Sequence, residues 1–251
     1  MESRVSLQNL IILNRRFLFE FLSKYYTFLI KATELIAVLT GLILYKKYKH
    51  TDVKYFIWFL IYVVIIETIG SYPVYLKSLN LSHLIENTLI RRNYWWFAFT
   101  WVSASTFFYS WFLGKQLKSS VFKKILRYAC IVYLVVLIVR IGFYHEEYFK
   151  GRNLILDIGN MTIVLLSSIF YLYEILNSEK ILDFYRSFYF YVAAIIFIWW
   201  LVITPIGFFE QYNNVYDMNF VMLKYVTKLC LISFMYLGFS VALIISKVKY
   251  D

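Results

Sequence analysis

Seven ionisable side chains fall inside runs that otherwise read as lipid-facing helix: Lys31, Glu34, Glu67, Arg140, Asp157, Lys224 and Lys228. Such a group costs about 2.5–3.5 kcal/mol at the centre of a bilayer, so it persists where it meets a partner or a wet cavity. Glu67, in the stretch IIETIGSYP, lies roughly 18 Å along a helix that starts near Tyr55, close to the midplane of a hydrocarbon core about 30 Å thick. Lys31 and Glu34 are three residues apart on one helix face, and Lys224 and Lys228 are four apart on another. Asp157 and Asn160 share a face of a fifth apolar run, and Arg140 lies about a turn from the end of the fourth. With the orientation derived below, all of these occupy the outer half of the bundle, with Glu67 as the floor. The inner half is nearly free of charge until Glu174 and Arg186. A polar cavity open to the outside, taking a small ligand, is the economical account.

Trp95 and Trp96 open the third run, and Trp199 and Trp200 lie in the outer half of the sixth. Such residues form interfacial belts, but Trp96 and Trp199 are also placed to stack on a ligand or meet a cationic group. The charged residues have structural alternatives too. Lys31 with Glu34 makes an intrahelical pair if Lys31 reaches to the interface, and Arg140 can snorkel in the same way. Glu67 can be a protonated acid bonded to a neighbouring helix. The hydroxyl run Thr100, Ser103, Ser105, Thr106 suits close helix packing. Pro73 and Pro205 stand near outer ends, where they can loosen backbone bonding and widen a vestibule.

These residues need a membrane-embedded scaffold, and the composition supplies one. The 251 residues are 61% hydrophobic and 22% aromatic with only 16% charged. A soluble domain is about half apolar and a quarter charged, and cannot hide this much apolar surface. The blocks predict an all-α polytopic membrane protein, a seven-transmembrane-helix bundle. Its spans are Thr27 to Tyr45, Tyr55 to Leu76, Asn93 to Leu113, Ile125 to Tyr144, Leu154 to Leu176, Phe184 to Ile206 and Phe220 to Ser246. Residues 27–251 form one domain. Residues 1–26 precede it as an interfacial helix with Leu10, Leu13, Phe17 and Phe21 in the lipid, the alternative being a tail that extends the first helix.

Loop charge sets the orientation. One side collects 13 Lys and Arg residues, from Lys46 through Lys249, and the other nine, with none in the loop from Gly207 to Asn219. The positive-inside rule puts the N-terminus outside and the C-terminus in the cytoplasm, although Arg91 and Arg92 pull the other way. The membrane is the cell membrane, the inner one if the source is bacterial.

The net charge of +11 sits in short loops beside apolar runs, where it suits anionic lipid, and it forms no nucleic-acid module. His50, His83 and His145 lie in loops or at an edge, so no zinc hydrolase centre assembles, and no metal or other cofactor is expected. A retinal Schiff base on Lys228 would need an acid that the third run, YWWFAFTWVSASTFFYSWF, lacks. Cys130 and Cys230 fall within spans and read as small apolar residues. Transport remains the runner-up, without visible inverted repeats. The stretch TGLILYKKYKHTDVKYFIWFLIYVVIIETIG resembles the first two helices of uncharacterised seven-helix proteins of Bacteroidetes, some found beside sensor histidine kinases. The resemblance implies a signalling context with a cytoplasmic partner such as a histidine kinase. The expectation is a non-enzymatic sensor or receptor-like subunit.

Overall fold

Where no water can bond the backbone, long apolar segments must satisfy their own N–H and C=O groups, and they coil into helices. A computed structural model describes the backbone of residues 2–178, 183–212 and 218–248, with side chains for 21, 24–178, 183–206 and 220–248. In chain order the helices are α1 (Glu2–Ile43), α2 (Tyr45–Tyr48), α3 (Val53–Gly70), α4 (Tyr72–Ser78), α5 (Tyr94–Phe97) and α6 (Ala104–Gly114). Then come α7 (Ser120–Phe143), α8 (His145–Lys150), α9 (Leu154–Leu176), α10 (Phe188–Tyr212) and α11 (Met218–Ile245). A π-helical segment, Ala98–Ser103, joins α5 to α6. No strand occurs among the described residues.

Six helices, α1, α3, α7, α9, α10 and α11, contain stretches long and apolar enough to cross a membrane. This is the pattern of a multi-pass membrane protein. α7 turns Val132, Val135 and Ile138 outward, each more than half exposed, as a lipid-facing surface requires. The third apolar run is helical from Tyr94 to Gly114, but its π turn divides it. The second run ends earlier than its hydropathy suggests. α3 stops at Gly70, the chain bends at Ser71, and Pro73 sits in the first turn of α4, where its missing N–H costs nothing. Glu67 is therefore three residues from the end of its helix rather than near the middle. The amino-terminal segment is continuous with α1. Of the residues expected in lipid there, Phe21 is exposed, and Leu10, Leu13 and Phe17 lie outside the described side chains.

α1 packs along α11 and more lightly on α3, while α9 contacts α6, α7 and α10. In lipid there is no hydrophobic drive between helices, so close approach and hydrogen bonds must hold them. Gly41 faces Ile57, Gly159 faces Tyr133 and Gly238 faces Ile195, each so near that a Cβ would come within 3.0 Å. The core is aromatic. Phe56 has the rings of Phe112, Phe188 and Phe239 at 5.5, 5.0 and 4.9 Å, and Phe59 stacks on Phe108 at 4.0 Å. Each such pair contributes about 0.5–1.5 kcal/mol beyond its buried area.

One end of the bundle is tied by charge. The Lys47 ammonium donates to the carbonyls of Leu243 (3.1 Å), Ile244 (3.3 Å) and Ser246 (2.6 Å), which α11 leaves without helical partners. Glu174 accepts from the backbone N–H groups of Lys118 and Ser119 at 2.6 and 2.8 Å, and Lys115 pairs with Asp52 at 2.6 Å. At the other end, the buried Tyr148 hydroxyl of α8 donates to the Trp95 carbonyl at 3.2 Å. Burial, then the neighbouring Tyr133, pushes this phenol up to about 12, so it keeps its proton for that bond.

Candidate functional site

The π turn organises the site. A helix widened in this way leaves carbonyls outside the regular ladder, and side chains must meet them. The Ser103 hydroxyl donates to the Ala98 carbonyl at 2.8 Å, and the Tyr62 hydroxyl of α3 donates to the Thr100 carbonyl at 2.8 Å. Ser103 also bonds the Tyr133 hydroxyl of α7 at 3.2 Å. The hydroxyl run expected to aid helix packing thus supports an irregular turn.

A cavity of about 510 Å3 opens between this turn, α9, α10 and α11. Asp157, Asn160, Trp199, Lys224 and Lys228, all site residues expected from the sequence, line it together. Asp157 pairs with Arg152 at 2.6 Å, and both lie in the wall. The aromatic side is formed by Trp101, Trp199 and Trp200, with Trp199 edge-on to Trp200 at 4.8 Å and 6.3 Å from Trp101. Among the described residues, the charged side chains of the lining are Arg152, Asp157, Lys224 and Lys228.

Two buried polar atoms carried by lining residues, the Asn160 Oδ1 and the Trp199 Nε1, have no protein partner among the described residues. Asn160 is 1% exposed. Its amide is oriented by chemistry: the Ser105 hydroxyl donates to the Val102 carbonyl at 2.9 Å, so toward Asn160 it accepts, from Nδ2 at 3.3 Å. That leaves Oδ1 buried and without a partner among the described residues.

Glu67 is elsewhere. Its carboxyl lies close to the carboxyl of Glu34 across the α1–α3 contact, with Lys31 nearby. Glu34 is 2% exposed. A carboxylate has no donor, so a hydrogen bond between the two groups requires a proton on one of them. The sequence pointed to Lys228, Asp157 and Asn160 as partners for Glu67; those three line the cavity instead. Tyr236 of α11 lies beside Trp101, which also stands in the cavity wall.

Arg140 and Trp96 belong to neither group. The Arg140 guanidinium reaches Glu147 of α8 at 3.0 Å and Asn153 at 3.5 Å, tying an end of α7 to the following turn. Trp96 donates to the Ile66 carbonyl at 2.8 Å and lies over Gly70, where a Cβ would come within 2.7 Å of its ring. Sequence reasoning missed Trp101, Trp200 and Tyr236. Trp101 carried a signal, since it stands within the hydroxyl run; Tyr236 is one of 24 tyrosines and carried none.

Among the described residues, no three His, Cys, Asp or Glu side chains gather where they could hold a metal ion. Cys130 and Cys230 are free thiols. No protein-family model, curated protein or solved structure matches the chain.

Proposed function

We propose that this chain is a seven-helix membrane sensor or receptor-like subunit that binds a small ligand in the cavity beside the π turn. The divided helix from Tyr94 to Gly114 supplies the seventh crossing. The N-terminus lies outside, led by an interfacial segment, and the C-terminus lies in the cytoplasm, so the cavity faces out. The observation that carries this reading is the gathering of Asp157, Asn160, Trp199, Lys224 and Lys228 from three helices in the wall of a cavity of ligand size. Trp101 stands both in that wall and beside Tyr236 of α11, which gives ligand arrival a route into the bundle. The output passes to a separate cytoplasmic partner, a histidine kinase by the resemblance of residues Thr40 to Gly70.

Transport is the competing reading, and the closeness of two carboxyl groups, Glu34 and Glu67, favours it. Against it stands the aromatic packing around Phe56, a set of interlocked rings in the core. Proteoliposomes containing a pH-sensitive dye decide between the two. The sensor reading expects an imposed pH step to decay as in empty liposomes, with or without a small organic acid outside. Protein-dependent entry of acid or protons would replace sensing with transport.

A further inference from the structure

We infer that one side of α7 holds an anionic phospholipid, its headgroup on Lys123, Lys124 and Arg127 and an acyl chain along Ile131, Leu134 and Ile138. The lipid belongs to the leaflet at the end of the bundle where Lys47 and Lys115 lie. The inference stands apart from the cavity and from the orientation of the chain. α7 is the least buried of the six candidate spans, and it packs chiefly on α9 and α6. Arg127, Ile131, Leu134 and Ile138 follow one another at the spacing of a single helix stripe, and all four are exposed. Lys123 and Lys124, exposed as well, stand one turn before Arg127 on the same side. From Arg127 to Ile138 the helix rises about 16 Å, which is one leaflet of a hydrocarbon core about 30 Å thick. A cationic end on an apolar stripe of that length matches the two parts of a phospholipid.

The cations stand against the helix's own preference. The first turn of a helix favours acids, and like charges four residues apart repel. α7 begins SVFKKILR, with no acid in its first turn. Lys123, Lys124 and Arg127 make no ion pair with an acid among the described residues. Glu174, the acid of α9 beside this helix start, accepts from the backbone N–H groups of Lys118 and Ser119 instead. Cations that only set topology need no common face, because the positive-inside rule counts charge wherever it points. Here they share the face along which the apolar stripe continues. A phosphate between them relieves their repulsion, and the Arg127 guanidinium offers it a planar fork of donors.

The test uses the full chain in detergent with equimolar dioleoylphosphatidylglycerol and dioleoylphosphatidylcholine, and bound lipid is counted by native mass spectrometry. The two lipids share their acyl chains and differ in headgroup charge. The first lipid bound should favour phosphatidylglycerol by about ten-fold. The combined Lys123→Gln, Lys124→Gln and Arg127→Gln variant should bind the two lipids equally. The combined Lys46→Gln, Lys49→Gln and Lys54→Gln variant removes as much charge from the same end, off the stripe, and should keep the preference. Glycerophosphoglycerol, the headgroup without its chains, should leave the bound lipid in place at the same concentration. If the α7 triple variant does not fold, Arg127→Gln alone should lower the preference about three-fold.

The inference is overturned if phosphatidylcholine binds as well as phosphatidylglycerol, or if the α7 variants keep the preference. It is also overturned if both triple variants lose the preference alike, since the charge of the whole end then attracts the lipid. Displacement by glycerophosphoglycerol would overturn it too, because the apolar stripe would then play no part.

Discussion

Glu34 and Glu67 can bond one another only while a proton lies between them, and that fixes what substitution should do. Glu67→Gln supplies N–H donors to Glu34 in a side chain of the same shape. It should leave the thermal midpoint in detergent little changed, a cost under about 1 kcal/mol. Glu67→Leu leaves Glu34 buried without its partner and should cost about 1–3 kcal/mol. Equal midpoints for the two variants would mean that the contact contributes nothing. The sequence placed Glu67 in the same layer as Asp157, Asn160 and Lys228 because counting along a helix gives height. It gives no azimuth, which depends on the neighbours each face meets. Glu67 faces α1, whereas Asp157 and Asn160 face the π turn and α10, so one expected pocket became a cavity and a separate carboxyl pair.

At the scale of elements, two devices govern where the site sits. The first is the π turn, whose Thr100 carbonyl depends on Tyr62. Tyr62→Phe removes that donor alone and should destabilise the fold by about 1–2 kcal/mol. Inserting one alanine between Phe97 and Ala98 should go further, turning Tyr94 to Phe97 by about 100° against α6. Trp96 would then leave Gly70, and near-ultraviolet circular dichroism should register the loss. An unchanged spectrum would refute the packing described for this segment. The second device is Lys47 at the carboxyl end of α11. Lys47→Met keeps the apolar stem and removes the donor, and should cost about 1–3 kcal/mol by the same midpoint measurement. The long helices were legible because each is an apolar run, and the fifth keeps its expected ends, Leu154 and Leu176. The division of the third was not, because a π turn comes from neighbours such as Tyr62 and Tyr133, which are distant in sequence.

Across the whole molecule, hydropathy and loop charge carry the argument for a membrane bundle, and side-chain chemistry carries the argument for a ligand. The cationic loop residues meet at one end, where Lys47 reaches α11 and Lys115 reaches Asp52, while the cavity lies toward the other. The orientation of that axis is the central claim, since a cavity opening to the cytoplasm could not serve an external ligand. It is tested most directly in intact cells with a small, charged, membrane-impermeant methanethiosulfonate, in chains carrying Cys130→Ser and Cys230→Ser. One chain adds Thr204→Cys in the cavity wall and another adds Lys118→Cys in the charged loop end. The account predicts modification of the Thr204→Cys chain from outside, and of the Lys118→Cys chain only after the cells are permeabilised. Modification of Lys118→Cys in intact cells, with Thr204→Cys protected until permeabilisation, would contradict it.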